Sequence, residues 1–484
     1  NLLVVALDQL GRHEEAQAAH LALRALDPLD VGSRWRDGIK PATAQDQLDL
    51  AFDILRAGRR EDALRVLTCR EGDDGSPSPL LLFARAMVEA EFDQSKLHAA
   101  LENAEKADLT LCFPSRLEEM QILQSVIAVK PDSGSAHYLL GNFLYDRRRH
   151  QEAIHHWREA ARLRPGFPTV WRNLGIALFN ILHDTAGARA AFDKAAALAP
   201  SDGRILYERD QLWKKLGERP ERRLQELDRH SPIVTMRDDL SIERATLLNQ
   251  LGRPAEALEL LLQRQFQPWE GGEGLVLAQY VRSLLLLGRA ALTGGMAKEA
   301  LAHFEAARQV PRNLGEARHP LASQSDIDYW VGEAHAALGD RGAAIAAWDA
   351  AIRQPGDFQQ MAVQVVSDMT HWTGRAQMHL GHVAEARAIF EAILSHADAL
   401  ERTEPRIDYF ATSLPNMLLF ADDLGLRNQI TARILRAQAF VGLGRNAEAE
   451  EILKSVLGDD CNNIKAADLL EEINSSRTGG RFHA

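Results

Sequence analysis

Sugar hydrolysis needs only two carboxylates flanking a bond, so acids held close together on a turn are the first residues to weigh. The stretch FQPWEGGEG (266–274) sets Glu270 and Glu273 three residues apart, beside Trp269, whose indole could stack on a sugar ring. Asp326 with Asp328, and Asp408 beside Tyr409, are similar groups further on. The same acids also serve as helix caps, which requires no catalysis. Metal chemistry would need His, Cys or carboxylates at ligand spacing. His155 and His156 are adjacent and would diverge by about 100° on a helix, so they do not share an ion. His379 and His382 straddle a turn, with His371 a helical turn or more away. No GxSxG elbow, HExxH motif or GxxxxGK[ST] loop occurs, and the glycines of WEGGEG lack the lysine and hydroxyl of a phosphate cradle. No catalytic residue, metal or cofactor is assigned.

The net charge of −12 speaks against nucleic acid, which is bound by displacing counterions with basic groups. The strongest apolar run, SLLLLG at 283–288, falls far short of the ~18 residues of a membrane span. Cys69, Cys112 and Cys461 are odd in number and far apart, which gives no disulfide framework. Free thiols of this kind fit a reducing, cytoplasmic setting.

Any chemistry must be positioned by helices, and their spacing repeats. Gly141 is followed by Ala153, Trp157, Ala160 and Pro165. Gly175 leads to Ala188, Phe192, Ala195 and Pro200, with one extra residue in the turn. Gly288, Gly332 and Gly374 open the same ladder, with Phe304, Trp348 and Phe390 as the bulky member. Small residues let two helices of a hairpin approach, the bulky residue fills the space between one hairpin and the next, and proline ends the helix. LGRHEEA (10–16), AGRREDA (57–63), LGRPAEA (251–257), LGDRGAA (338–344) and LGRNAEA (443–449) supply a glycine between paired helices.

This ladder resembles the tetratricopeptide repeat, whose period is 34 residues. The resemblance implies an all-α, right-handed superhelical solenoid of antiparallel helix hairpins, continuous over 1–476, with a disordered tail at 477–484. Regular repeats are expected over 131–270. Longer junctions (310–326, 355–363 and 401–425) fall within 266–425 and should emerge as loops on one face. The pattern weakens at 77–130, and the repeat around Asp210 carries Arg222 where a second small residue is expected. NNIKAADLLEEI (462–473) reads as a cap over the last hairpin. Several stretches, among them FPTVWRNLGIALFN, RQFQPWEGGEG, VPRNLGEAR and DYFATSLPNMLLFADDL, look like a narrower family of large bacterial proteins. There such an array follows a galactose-mutarotase-like β-sandwich, so the resemblance implies a further domain ahead of Asn1.

In such arrays the first helix of each hairpin lines the concave surface. That face would present Tyr138, Asn142 and Tyr145, then Arg172 and Asn173, then Tyr207 and Lys214. Between 146 and 230, Lys and Arg outnumber Asp and Glu by 17 to 12, against the trend of the chain. Some repeat domains grip a carboxylate through a lysine and two asparagines. Asn142 and Asn173 match the asparagines, while Tyr138 stands for the lysine and Glu208 for an arginine. The sequence points to a non-catalytic interaction module that binds a protein, a peptide or an adjacent domain of its own chain. The face would be joined by Trp269, Glu270 and Glu273 as a docking loop. The alternative is the helical part of a carbohydrate-active or sugar-binding protein. Neither reading involves nucleic acid or membrane.

Overall fold

The ladder residues meet in space. The computed structural model describes residues 2–69, 78–269, 271–354, 356–359, 362–405 and 419–478. At Gly141 an added Cβ would lie 2.4 Å from the Trp157 ring, and at Gly175 it would lie 2.5 Å from Phe192. Phe304, Trp348 and Phe390 stand in the same way against Gly288, Gly332 and Gly374. The bulky residue therefore lies first against the glycine of its own hairpin, not only between hairpins as expected. Phe390 does both, because it also abuts Gly442 of the next hairpin. Burying such a ring contributes roughly 1.5–3 kcal/mol, and only a missing Cβ lets the helices close over it. The glycines of the five quoted turns, Gly11, Gly58, Gly252, Gly339 and Gly444, all have φ between +71° and +79°, a region that side chains resist.

The result is an all-α stack of helix pairs whose contacts divide into two compact units, residues 1–198 and 199–484. The first unit runs through Leu2–Gln9 with His13–Leu26, Ala44–Arg56 with Arg60–Thr68, and Pro79–Ala90 with Leu97–Glu105. It then passes Leu117–Val129 to Gly134–Asp146 with His150–Leu163 and Pro168–Asn180 with Thr185–Leu198. The glycine-poor stretch is helical here, held by the same apolar core that buries Phe83, Leu101 and Leu123.

The second unit begins with Gly203–Lys215 and Pro220–Arg229. It continues through Asp238–Gln250 with Pro254–Gln263, Leu275–Thr293 with Ala297–Arg308, and Ser325–Ala337 with Arg341–Ile352. Thr370–His379 with Val383–Arg402, Leu424–Gly442 with Asn446–Asp459, and the terminal Ile464–Thr478 complete it. At the second long junction, strand Asp357–Gln359 pairs antiparallel with strand Ala362–Gln364, with Phe358 opposite Val363. Residues 406–418 and 479–484 lie outside the described residues, and with them Asp408, Tyr409 and most of the expected tail.

One described helix, Leu275–Thr293, is long and apolar enough to cross a membrane by length and composition alone. Half of it is buried in protein, and its Arg282 and Arg289 pair with Asp468 and Glu472. A search for an uninterrupted apolar run missed it because those arginines break the run.

The repeat around Asp210 explains its own departure. Asp210 occupies the glycine's place, eighth in its helix, and Arg223 the alanine's place, fourth in the next. Arg223 is 1% exposed and donates to Asp210 Oδ1 and Oδ2 at 2.9 and 2.6 Å. A buried ion pair thus stands where other hairpins bring two small residues together. It is Arg223, not Arg222, that fills the second small position.

Candidate functional site

Four of the residues singled out on the first unit's inner helices, Asn142, Tyr145, Arg172 and Asn173, are neighbours. Asn142 Oδ1 accepts from Trp157 Nε1 at 3.0 Å and from Asn173 Nδ2 at 3.1 Å. Arg172 Nη1 donates in turn to Asn173 Oδ1 at 3.1 Å. Tyr145 packs its ring on Trp157 and His150, with centroids 5.0 and 4.7 Å apart. Its hydroxyl bonds to Asn180. Asn142, Tyr145, Arg172, Asn173, Ile176, Phe179 and Asn180 are all half-buried, which leaves a continuous polar and aromatic strip. Tyr138 does not join it. Only 5% exposed, it stands edge-on to Phe167 at 4.9 Å, so this tyrosine is core and not a contact residue.

Tyr207 and Lys214 belong to the second unit, on helix Gly203–Lys215. Lys214 Nζ lies 3.0 Å from Glu243 Oε1, and Arg223 donates to the other oxygen of that carboxylate at 2.9 Å. Burial opposes charge on Glu243, but Lys214 and Arg223 outweigh it and hold the carboxyl well below its usual range. Burial and the acids Glu243, Asp239 and Asp210 push the Tyr207 phenol up. The local excess of basic residues is thus partly spent inside the fold. Glu208 is buried and accepts from Arg204 at 3.0 Å, so it does not take an arginine's part in a carboxylate clamp.

The FQPWEGGEG loop is clamped by the next long junction. Phe266 N donates to Asn313 O, and Asn313 Nδ2 reaches back to the carbonyls of Leu261 and Arg264, each at 2.8 Å. Glu316 accepts from the backbone N–H of Gly274 and Leu277 and so occupies the N-terminus of helix Leu275–Thr293. Trp269 is half-buried against the second unit's core, its indole over Gly272, where a Cβ would lie 1.9 Å from the ring. Glu273 accepts from Gly271 N at 2.9 Å, and Glu270 lies outside the described residues. The other acids are equally committed. Asp328 accepts from Arg308 at 2.6 Å, and Asp326, 9% exposed, is pushed up to about 6 by burial.

His137 and His156 form a pair, Nδ1 to Nδ1 at 2.8 Å, with His137 Nε2 3.2 Å from Pro131 O. If His137 gives its one proton to that carbonyl, His156 Nδ1–H must donate across the pair, so both rings are neutral. Burial lowers His137, and burial with the charges of His137 and His155 holds His156 at about 4. The unfolded chain then takes up protons first, and stability present above about pH 6.5 is lost as pH falls through 4. We expect the first unit to melt several degrees lower at pH 5 than at pH 7. His156→Gln should flatten that dependence. An unchanged acid loss in the variant would contradict the pairing. Among the described residues no group of three or more His, Cys, Asp or Glu is placed to hold a metal ion.

Two family models, both described as tetratricopeptide repeat, match the chain. One covers residues 121–165, 138–203 and 331–401, and the other 240–263, 281–306 and 430–454. The chain carries tetratricopeptide repeats over these residues. The gap between 203 and 240 is the repeat in which Asp210 and Arg223 replace the small pair. Among solved structures, this repeat protein is similar to MamA (41-end) from Desulfovibrio magneticus RS-1, at 15% identity over 41% of this chain and 98% of that one, TM-score 0.25. It is also similar to the P58(IPK) repeat domain, at 15% over 91% and 99%, TM-score 0.22. A third, Naa15/Naa10 bound to HypK-THB, is 13% identical over 90% and 67%, TM-score 0.33. At such scores these likenesses add nothing to the repeat assignment.

The sequence reading missed the arginines that line the second unit's inner helices. Arg282 and Arg289 lie seven residues apart on one helix and Arg375 on another; they face Asp468 and Glu472, four residues apart on the last helix. That i, i+7 against i, i+4 spacing is legible in the sequence, but nothing there says that the two helices meet.

Proposed function

We propose that this repeat protein is a non-catalytic interaction module that binds a segment of a protein partner on its inner helices. The observation that carries the reading is the half-exposed strip of Tyr145, Arg172, Asn173, Ile176, Phe179 and Asn180. Aromatic and arginine side chains are enriched where proteins recognise one another, and here a hydrogen-bond chain fixes their orientation. A sugar-hydrolysing reading finds less support. Glu273, Asp326 and Asp328 are engaged or buried within the chain instead of facing each other across a cleft. Three cysteines joined by no disulfide are in keeping with a cytoplasmic setting.

Peptides selected by display against the intact chain should lose at least about tenfold in affinity (1.4 kcal/mol) to the Tyr145→Ala/Arg172→Glu variant. For acidic peptides the binding should also weaken in high salt, since exposed charges are screened beyond about 8–10 Å. Selected peptides that bind the variant and the wild type equally would sink the reading.

A further inference from the structure

The last helix, Ile464–Thr478, does more than cap the final hairpin. Its apolar side, Ala466, Leu469 and Ile473, joins a small core with Ile434, Leu453 and Val456 and so belongs to the last hairpin. Its polar side turns to the inner helices of the same unit. Asp468 is held by Arg282 in a two-pronged pair, Nε to Oδ2 at 2.7 Å and Nη2 to Oδ1 at 2.6 Å. One helical turn on, Glu472 accepts from Arg375 and lies 3.5 Å from Arg289. At the near end Asn462 accepts from Arg223 at 2.8 Å, and Lys465 pairs with Asp368 at 2.7 Å.

The arginines are built to read a carboxylate. Arg375 lies over the faces of Tyr329, Trp372 and Trp330, at 4.5, 5.2 and 5.8 Å, and Arg289 over Trp330 at 5.3 Å. Aromatic faces orient the planar guanidinium and leave its edge for an acid. The side chain of Glu472 is 9% exposed where it enters between them. Burial opposes its charge, yet Arg375 and Arg289 hold its carboxyl at about 2. The three arginines come from Leu275–Thr293 and Thr370–His379, helices that in a repeat array face a ligand.

We propose that the C-terminal helix is a built-in occupant of the second unit's inner face. It holds a carboxylate-reading site of Arg282, Arg289 and Arg375 until an acidic helical segment of a partner displaces it. The partner's signature is what Asp468 and Glu472 present: two carboxylates one helical turn apart. Displacement breaks the ion pairs and hydrogen bonds to the inner helices and the small apolar contact of Ala466, Leu469 and Ile473 with the last hairpin. The inference rests on the inner faces being protein-binding. It is tested with a defined peptide at the second unit, so it can fail while the strip around Arg172 still binds its selected peptides.

The probe is a labelled synthetic peptide of residues 462–478, added to the full chain and followed by fluorescence anisotropy. Asp468→Asn/Glu472→Gln should bind it at least about tenfold tighter than the wild type does, because the arginines have lost their internal acids. A peptide carrying the same two substitutions should not bind. No gain in the variant, or equal binding of the neutral peptide, would overturn the proposal. If the double variant does not fold, the wild type still decides. Saturating peptide should raise hydrogen exchange in 464–473 while 275–293 stays protected, and unchanged protection of 464–473 would overturn it.

Discussion

Replacing Arg223 with alanine is expected to remove about 3–5 kcal/mol from the second unit, the cost of leaving a buried acid without its partner. Arg223 is 1% exposed and bonds at once to Asp210, Glu243 and Asn462, from three separate stretches of the unit. Its loss strands Asp210, which is 4% exposed and bonded through both oxygens to the missing guanidinium. Glu243 keeps Lys214 and suffers less. The double variant Asp210→Gly/Arg223→Ala restores the small pair used by the regular hairpins, and no unpaired acid remains at that crossing. It should recover most of the loss, as buried ion pairs replaced by well-packed neutral residues often do. Urea unfolding read by hydrogen exchange across 203–250 separates the outcomes. A double variant as unstable as Arg223→Ala would show that the pair holds more than this hairpin together.

The second large effect belongs to the first unit. Gly175→Leu should cost about 1–3 kcal/mol by overpacking. Even the first added carbon would lie 2.5 Å from the Phe192 ring, and that ring is fully buried with no room to swing away. Gly175→Leu/Phe192→Ala removes the collision and should be less destabilised than the sum of its parts, since contacting residues are not additive. A melting temperature untouched by Gly175→Leu would contradict the register, because the same glycine–ring contact recurs at Gly141, Gly288, Gly332 and Gly374.

Much of this architecture was legible because a glycine and a ring sixteen or seventeen residues further on must touch, and that constraint writes itself into the spacing. The turn glycines were legible for a similar reason, since their backbone sign excludes other residues. The site was harder to read. Tyr138, Asn142 and Tyr145 lie on one helix within eight residues, yet only the packing of Phe167 shows that Tyr138 turns inward. Lys214 looked available because Glu243 is 29 residues away. Asp210 and Arg223 looked like a degraded repeat, since charge complementarity has no fixed spacing. The glutamate pair in WEGGEG drew attention as chemistry, but the loop answers to VPRNLGE, whose Asn313 and Glu316 hold it through backbone groups that any side chains would offer.

The central claim is that the first helices of the hairpins bind and the second helices support them. Hydrogen exchange of the intact chain, with and without a saturating display-selected peptide, tests this most directly. Protection is predicted to rise on Gly134–Asp146 and Pro168–Asn180, the helices of Tyr145 and Arg172. Protection confined to His150–Leu163 and Thr185–Leu198, with the first helices unchanged, would contradict it.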